Sequence, residues 1–419
     1  METSRLPHEQ PHPRDGVWLR HYFGLLVSRL EPDSGKYRIL PMEGIRGFAA
    51  TLVFFVHFNS HYEHFSSAGI QRRALQILGA LGHTGVDIFF ILSGYLIYGI
   101  VMDDRFVFWK YLRRRLQRLY PTFLVVFAIY LASSWLVPAR SKLPSQPGKA
   151  IAYIVANLLM LPGMLPIKPI ITVAWSLSYE WFFYFLLPGT VRLMRARCWR
   201  WEWRVGFTLV LSVAWVWAGQ IRFTSHSRLV AFAAGVVLWE LLHNTRISFW
   251  LPRWGEWASA LLFCGNLLLI GVSGASRGNT TLVLERIPSF YAPSLCVTGG
   301  LLVLYAIAFP GFLARLFSLT PLRWMGNISY SYYLIHGLTL LCLSVVANRL
   351  LRQQLNALLV LLLMSVCFIA TVFTALALYL AAEWPLSLAP SLPVVPKPIP
   401  QPKFDTYEVE PELELDNIK

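Results

Sequence analysis

Residues 41–57 read PMEGIRGFAATLVFFVH and place Arg46 and His57 inside an otherwise apolar segment. The two are eleven positions apart, and eleven steps of about 100° make about three helical turns, so both side chains project from one helix face. At about 1.5 Å rise per residue they stand roughly 16 Å apart, about half a bilayer core. Because a charge inside a membrane helix is costly, this pair is the first candidate for function. The structural alternative is an arginine that reaches the interface and a histidine packed near a helix end.

The composition around this segment is that of a membrane protein. The 419 residues are 56% hydrophobic and only 14% charged, and their mean hydropathy is +0.51. Soluble domains average about 25% charged residues. We therefore predict an all-α polytopic membrane protein with about ten transmembrane helices and one short interfacial or re-entrant segment at 151–161. The predicted spans are 42–60, 84–101, 120–137, 174–191, 205–221, 227–243, 255–273, 293–309, 327–347 and 356–381.

The charge distribution supports this topology. The net charge of +15 does not indicate nucleic-acid binding, because the basic residues cluster in short loops between the apolar runs. With ten spans and a cytoplasmic N-terminus, the internal segments carry 24 lysines and arginines and the external loops carry 12. If 151–161 crossed the membrane, the arginines of 192–204 would turn outward. The positive-inside rule therefore favours two cytoplasmic termini, in the plasma (inner) membrane if the source is bacterial.

Three regions follow from these patterns. We predict a cytoplasmic N-terminal segment at 1–38 and an integral membrane domain at 39–384. The remainder, 385–419, is Pro-rich and then acidic, and we expect it to be a disordered cytoplasmic tail. No two of the five cysteines have metal-ligand spacing, so we expect no metal site.

Two carboxylates lie in predicted spans, towards the external side. Asp87 follows His83 by four residues, so both lie on one helix face. Glu180 lies within the segment WSLSYEW at 175–181, where an unpaired carboxylate would be costly. The topology places both in the outer half with His57, and we expect one of them to orient that imidazole and fix its tautomer. For Asp87 the alternative is an ion pair that only holds the bundle together.

Further candidates are basic or polar side chains near these groups. Guanidinium groups match phosphate oxygens, so a basic helix face is a candidate phosphate site, although such runs also set topology and contact anionic lipid. The residues of this face are Arg113, Arg114, Arg115 and Arg118. The candidates for substrate binding are His83, Trp175, Ser178 and His336. For His336 the alternative is a hydrogen-bonded core histidine.

Taken in order, these stretches resemble the acyltransferase-3 family of membrane-bound O-acyltransferases over about residues 37–382. The family typically has Asp where this chain has Glu43. The segments that carry the likeness are EGIRG (43–47) with His57, GVDIFFILSGYLI (85–97), the arginine run that ends in Tyr120-Pro121, WSLSYEW (175–181) and ISYSYYLIH (328–336).

The resemblance implies ten spans and an acyl-CoA co-substrate, commonly acetyl-CoA, used from the cytoplasmic side, with no permanently bound cofactor. It implies a hydroxyl acceptor, often on a sugar of a glycan, lipid-linked saccharide or glycosylated small molecule, and it makes Arg46 and His57 the essential pair. We expect His57 to deprotonate the acceptor hydroxyl and Arg113–Arg118 to hold the CoA phosphates. A proton-coupled transporter or flippase of a saccharide or lipid is the alternative, since intramembrane His, Asp, Glu and Arg also mark proton pathways. A membrane sensor or scaffold is the third possibility.

Overall fold

The computed structural model describes residues 27–31, 39–67, 69–136, 141–222, 224–275, 291–351 and 354–388. The described residues are almost entirely helical, which confirms the all-α class. Most of the predicted N-terminal segment and the tail beyond 388 lie outside them. The main helices are α1 (Leu40–Tyr62), α2 (Ile70–Gly82), α3 (Thr84–Met102), α4 (Phe108–Leu136), α5 (Pro147–Leu158), α6 (Ala174–Leu193), α7 (Trp201–Arg222), α8 (Val230–Asn244), α9 (Arg253–Ala275), α10 (Tyr291–Ala308), α11 (Phe312–Phe317), α12 (Thr320–Asn327), α13 (Ser329–Leu350) and α14 (Ala357–Leu378), followed by a π-helical segment, Tyr379–Leu388.

Six helical stretches in the described part of the chain are long and apolar enough to cross a membrane. The other four predicted spans correspond to α1, α6, α7 and α8, of which α8 has only 15 residues. The count of ten transmembrane helices therefore stays a prediction. The six stretches are enough to make the protein multi-pass. The six stretches are Ile70–Met102, Phe108–Leu136, Arg253–Ala275, Tyr291–Ala308, Ser329–Leu350 and Ala357–Leu388.

Two short helices refine the picture between the spans. The 12 residues of α5 reach about 18 Å, short of the roughly 30 Å of a bilayer core, which fits the interfacial or re-entrant segment expected at 151–161. Helix α2 was not predicted from the sequence. Only His83 separates it from α3, and the two form one apolar run of 33 residues.

Helix α1 is the centre of the bundle and packs against α2, α3, α11, α12 and α13. Small residues allow the closest of these contacts, because a Cβ added at Gly44 would lie 1.7 Å from the carbonyl oxygen of Phe317. On α12, a Cβ added at Gly326 would lie 1.8 Å from the carbonyl oxygen of Glu43. Backbones that approach this closely fix the end of α1 that carries Arg46.

This close contact gives a direct test of the packing. We expect Gly44→Ala to abolish or strongly reduce folded protein, because its Cβ would meet rigid backbone of α11. The matched control is Gly206→Ala on α7, where no atom lies within 4 Å of the added Cβ. That change should be neutral or stabilise the helix by up to about 1 kcal/mol. The yield of monodisperse protein and the thermal midpoint in detergent are the measurements, and equal values for the two variants would contradict the packing.

Candidate active site

A cavity of about 140 Å³ lies between α1, α3, α4, α6 and α13. Its charged lining consists of Arg46, Arg115, Arg118 and Glu180. Three guanidinium groups therefore face one carboxylate in an interior of low dielectric, where charge interactions are strong. Even when the buried Glu383 that pairs with Arg118 is counted, the charges around the cavity sum to +1, which favours an anionic ligand. The hydroxyl groups of the lining belong to Ser93, Ser176, Tyr184, Ser329, Tyr330 and Tyr333.

Helical periodicity brings the side chains of each helix to the cavity. On α6, Ser176, Glu180 and Tyr184 recur every four residues and so lie on one face. On α4, Arg115 and Arg118 are three residues apart and also share a face. Each of these helices thus contributes the side chains of one face. The rotation of each helix about its axis decides which face lines the cavity.

The loop before α6 is fastened to its surroundings by Lys142. The Lys142 ammonium group donates to the carbonyl oxygens of Pro169 and Ile170, at 3.0 and 3.1 Å, and to Thr172 Oγ1 at 3.1 Å. Burial, together with the nearby charge of Lys168, lowers the pKa of this amine. These bonds fix the start of the helix that carries Glu180.

Each cavity arginine is held by a different contact. Arg46 Nη2 donates to Ser329 Oγ at 3.1 Å. The Arg115 guanidinium lies 5.6 Å from the ring centroid of Tyr111 and 5.4 Å from that of Tyr184, both within cation–π range. Neither contact neutralises the positive charge, so both groups keep their attraction for an anion.

Arg118 has a buried counter-ion that the sequence reading missed. Its Nη2 lies 3.1 Å from Glu383 Oε1, and Glu383 is fully buried in the π-helical segment. The other carboxylate oxygen accepts from the backbone N and from Oγ of Ser331, at 3.0 and 2.6 Å. Arg118 Nη1 is buried and has no hydrogen-bond partner among the described residues. The feature of the sequence that could have indicated this counter-ion is a single glutamate, two residues beyond the predicted end of the last span.

Two of the four arginines of the predicted basic face lie at the cavity. Arg115 and Arg118 line the cavity, whereas Arg113 and Arg114 are not part of its lining, and Arg113 is exposed. Helix α4 begins at Phe108 and runs on through Pro121, so its third turn already lies inside the bundle. The span predicted from the sequence begins at 120, after this run, whereas the observed helix includes all four arginines.

Glu180 lies with the arginines rather than with His57. Its Oε1 accepts from Tyr184 Oη at 2.7 Å and from Ser93 Oγ at 3.2 Å. Both donors line the cavity. Within the described residues no contact joins this carboxylate to His57, so the expected orienting role is not what its surroundings indicate.

Asp87 forms a buried ion pair with Arg228. Asp87 Oδ2 lies 3.5 Å from Arg228 Nη2, which also approaches the carbonyl oxygen of His83 at 3.4 Å. The Arg228 guanidinium lies 5.5 Å from the ring centroid of Trp175. Arg228 is only 7% exposed. These contacts correspond to the structural alternative for Asp87, and none reaches His57.

The partner that the structure gives His57 is His336. The two ring centroids are 4.9 Å apart and the planes are inclined by 63°. His336 is completely buried and its Nδ1 lies 2.8 Å from the carbonyl oxygen of Tyr332. A carbonyl can only accept, so in a neutral ring Nδ1 carries the proton and Nε2 is an acceptor. The sequence singled out His336 but not its contact with His57.

The remaining candidates for substrate binding do not belong to the lining of the cavity. Ser178 Oγ donates to the carbonyl oxygen of Ala174 in its own helix, at 3.4 Å. Ser176, two residues earlier, lies 2.6 Å from Tyr333 Oη and lines the cavity. Four predicted residues are absent from its lining, namely His83, Trp175, Ser178 and His336.

Fold and site together define an integral, multi-pass membrane protein with a cationic cavity beside a histidine pair. Residues 40–380 match the acyltransferase-3 family, described as an acyltransferase domain. The chain belongs to this family, as the resemblance in its motifs implied.

Several named relatives are similar to the chain over most of its length. It is 28% identical over 327 residues to Acyltransferase MdmB of Streptomyces mycarofaciens, covering 71% of this chain and 78% of that protein. It is 27% identical over 282 residues to Exopolysaccharide production protein ExoZ of Rhizobium meliloti, covering 64% and 78%. It is 25% identical over 345 residues to Peptidoglycan O-acetyltransferase OatA of Listeria monocytogenes, covering 74% of this chain but 50% of that protein. No solved structure matches the chain.

Proposed function

We propose that this protein is a membrane O-acyltransferase that moves an acyl group, in the simplest case acetyl, from acyl-CoA to a sugar hydroxyl. The observation that carries the proposal is the cationic cavity within a chain of the acyltransferase-3 family. Two relatives support a sugar acceptor through their names, since one is a peptidoglycan O-acetyltransferase and another an exopolysaccharide production protein. The acceptor class is a hydroxyl of a glycan, a lipid-linked saccharide or a glycosylated small molecule.

The donor is assigned to the arginines of the cavity. Guanidinium groups bind phosphate oxygens through charge-assisted, often bidentate hydrogen bonds. The Nη1 atom of Arg118, which has no hydrogen-bond partner among the described residues, supplies such a donor. The cavity, of about 140 Å³, has room for several water molecules. It accommodates a phosphate or a length of the pantetheine arm, so the adenosine part of CoA would remain at the mouth, on the cytoplasmic side in the proposed topology.

The acyl transfer itself is assigned to His57. In this mechanism the imidazole takes the proton of the acceptor hydroxyl while the hydroxyl oxygen attacks the thioester carbonyl carbon. The C–S bond breaks, and the imidazolium returns the proton to the CoA thiolate. His57 stands about three helical turns, roughly 16 Å, beyond Arg46 on α1, so the pantetheine arm bridges the phosphate site and the reacting atoms.

Proteoliposomes that contain the purified protein test this proposal. They receive acetyl-CoA labelled in its acetyl group and a membrane and glycan extract of the cells that make the protein. The expected result is label in a saccharide product, with a mass increase of one acetyl group and release of free CoA. Movement of a saccharide or lipid across the bilayer without label transfer would instead establish the transporter alternative.

The same assay tests the donor site. Arg115→Gln removes one cavity cation without leaving a carboxylate unpaired, so we expect the KM for acetyl-CoA to rise about ten-fold, since a charged hydrogen bond contributes about 1.5 kcal/mol or more. Arg200→Gln is the matched control, because this exposed arginine pairs with Glu202 at 2.9 Å and lies outside the cavity. An unchanged KM for Arg115→Gln would show that the cavity does not bind the acyl donor.

A further inference from the structure

We infer that His336 is a positioning residue for His57: its Nε2 accepts the N–H of the His57 ring, directly or through one water, so that His57 presents its other, unprotonated nitrogen to the acceptor hydroxyl. This role rests on the proposed acyl transfer. It gives a second imidazole the place that a carboxylate holds in a catalytic triad.

The state of His336 follows from its surroundings. Its Nδ1–H is committed to the carbonyl oxygen of Tyr332, at 2.8 Å on the preceding turn of α13. Its ring also stacks on the Tyr332 ring, with centroids 5.1 Å apart and planes 1° from parallel. The side chain is therefore held in both rotation and tautomer, which a positioning residue requires.

The opposite nitrogen of the same ring has no partner in the part of the chain that the structure describes. His336 Nε2 is buried and accepts no hydrogen bond from the described residues. A buried acceptor without a donor is costly and calls for an explanation, such as a role in catalysis. The ring of His57 is the neighbour able to supply the proton, because its centroid lies only 4.9 Å away in an edge-to-face arrangement. The second imidazole torsion is soft, so a small rotation of His57 can align an N–H with Nε2.

The two rings differ in access, and this difference assigns their roles. His57 is half-buried, whereas His336 is completely buried. Only His57 can meet the acceptor hydroxyl, and His336 acts from behind it. In the described contacts Asp87 pairs with Arg228, and Glu180 accepts hydrogen bonds from Ser93 and Tyr184. Neither carboxylate therefore occupies the position beside His57.

The histidine pair adjoins the donor cavity through Tyr333. The Tyr333 ring lines the cavity, and its centroid lies 6.1 Å from that of His336. The thioester end of a donor anchored at the arginines therefore reaches the region of the pair. When His57 takes the proton, the hydrogen bond to a neutral Nε2 spreads the new positive charge over two rings, and the proton then passes from His57 to the thiolate.

Four variants measured in the proteoliposome assay test this role: His336→Leu, His336→Gln, His57→Ala and the double variant His57→Ala/His336→Leu. We expect His336→Leu to lower kcat roughly 100-fold while the KM for acetyl-CoA stays within about two-fold, because the donor site is separate. His336→Gln should recover about ten-fold, since its amide oxygen can take the place of Nε2 as acceptor. The double variant should be no slower than His57→Ala, because residues that act as a unit are not additive.

Three results would overturn the role of His336. They are a kcat of His336→Leu within about two-fold of wild type, a His336→Gln no faster than His336→Leu at equal thermal midpoints, and a double variant slower than His57→Ala by the full His336→Leu factor. If His336→Leu does not fold, His336→Gln is compared with His336→Asn. The asparagine side chain is too short to place its amide oxygen at the Nε2 position. If the wild-type protein transfers no label, the proposed function itself is overturned. An active wild type together with an inactive His57→Ala variant excludes that outcome, so the failure of the His336 role and the failure of the proposed function are distinguishable.

Discussion

Replacing His57 with alanine is expected to lower acyl transfer by roughly 10²–10⁴-fold, the contribution typical of a general base. A sugar hydroxyl is a weak nucleophile at neutral pH, and imidazole is the side chain whose ordinary pKa lies nearest to neutrality. His57 lies on the central helix of the bundle, is half-buried and faces His336 edge-on. Donor binding at the arginines should survive the change, so the loss should appear in kcat.

His64→Ala is the matched control for this prediction. His64 follows α1 directly, is exposed, and its Nε2 lies 2.9 Å from Asn348 Oδ1. The two variants are compared by transfer of label from acetyl-CoA at equal amounts of folded, monodisperse protein. Wild-type rates for His57→Ala under those conditions would remove His57 from the chemistry.

The second large effect concerns stability. Breaking a buried ion pair by removing one partner costs about 3–5 kcal/mol, because it leaves an uncompensated buried charge. Arg118→Met leaves the fully buried carboxylate of Glu383 without its cation, and we expect a loss towards the lower end of this range, since the Arg118 side chain is 26% exposed. Glu383→Gln should lower the stability less, because it leaves the guanidinium of Arg118 unpaired, and this group is more exposed than the carboxylate of Glu383.

The double variant Arg118→Met/Glu383→Gln separates charge from packing. The amide oxygen of glutamine can still accept from the backbone N and from Oγ of Ser331, while no charge remains. We therefore expect the double variant to be more stable than Arg118→Met alone. Thermal midpoints in detergent provide the measurement, with Arg105→Gln as control, since its pair with Asp103 is exposed and contributes about 0–1 kcal/mol. A double variant less stable than Arg118→Met would show that the pair matters through packing.

Much of the framework was predictable because it depends on local patterns. Hydropathy over about 20 residues indicated helices wherever the structure has long ones, and the short apolar run at 151–161 corresponds to the short helix α5. The spacing of Arg46 and His57 placed both on one helix face, and both do lie on α1. The ordered motifs identified the family, which the match over residues 40–380 confirms.

The pairing of side chains across helices was not predictable from these patterns. Asp87 and Glu180 both fitted a role beside His57, yet the bundle gives them Arg228 and two cavity hydroxyls. Two arginines only two residues apart on α4 have different surroundings, because Arg115 faces the cavity and Arg113 does not. Glu383 lies outside the predicted last span, but the π-helical segment brings it to Arg118.

The sequence by itself determined the helical membrane class, the central apolar helix with its arginine and histidine, and the family. Only the tertiary structure decided that Arg46, Arg115, Arg118 and Glu180 share one cavity and that His57 meets His336. The physical reason is that helix formation and membrane insertion depend on residues close in the chain. Which helix faces meet depends on the packing of segments far apart in the chain, including the contact of Gly44 with the backbone of Phe317 that fixes the end of α1.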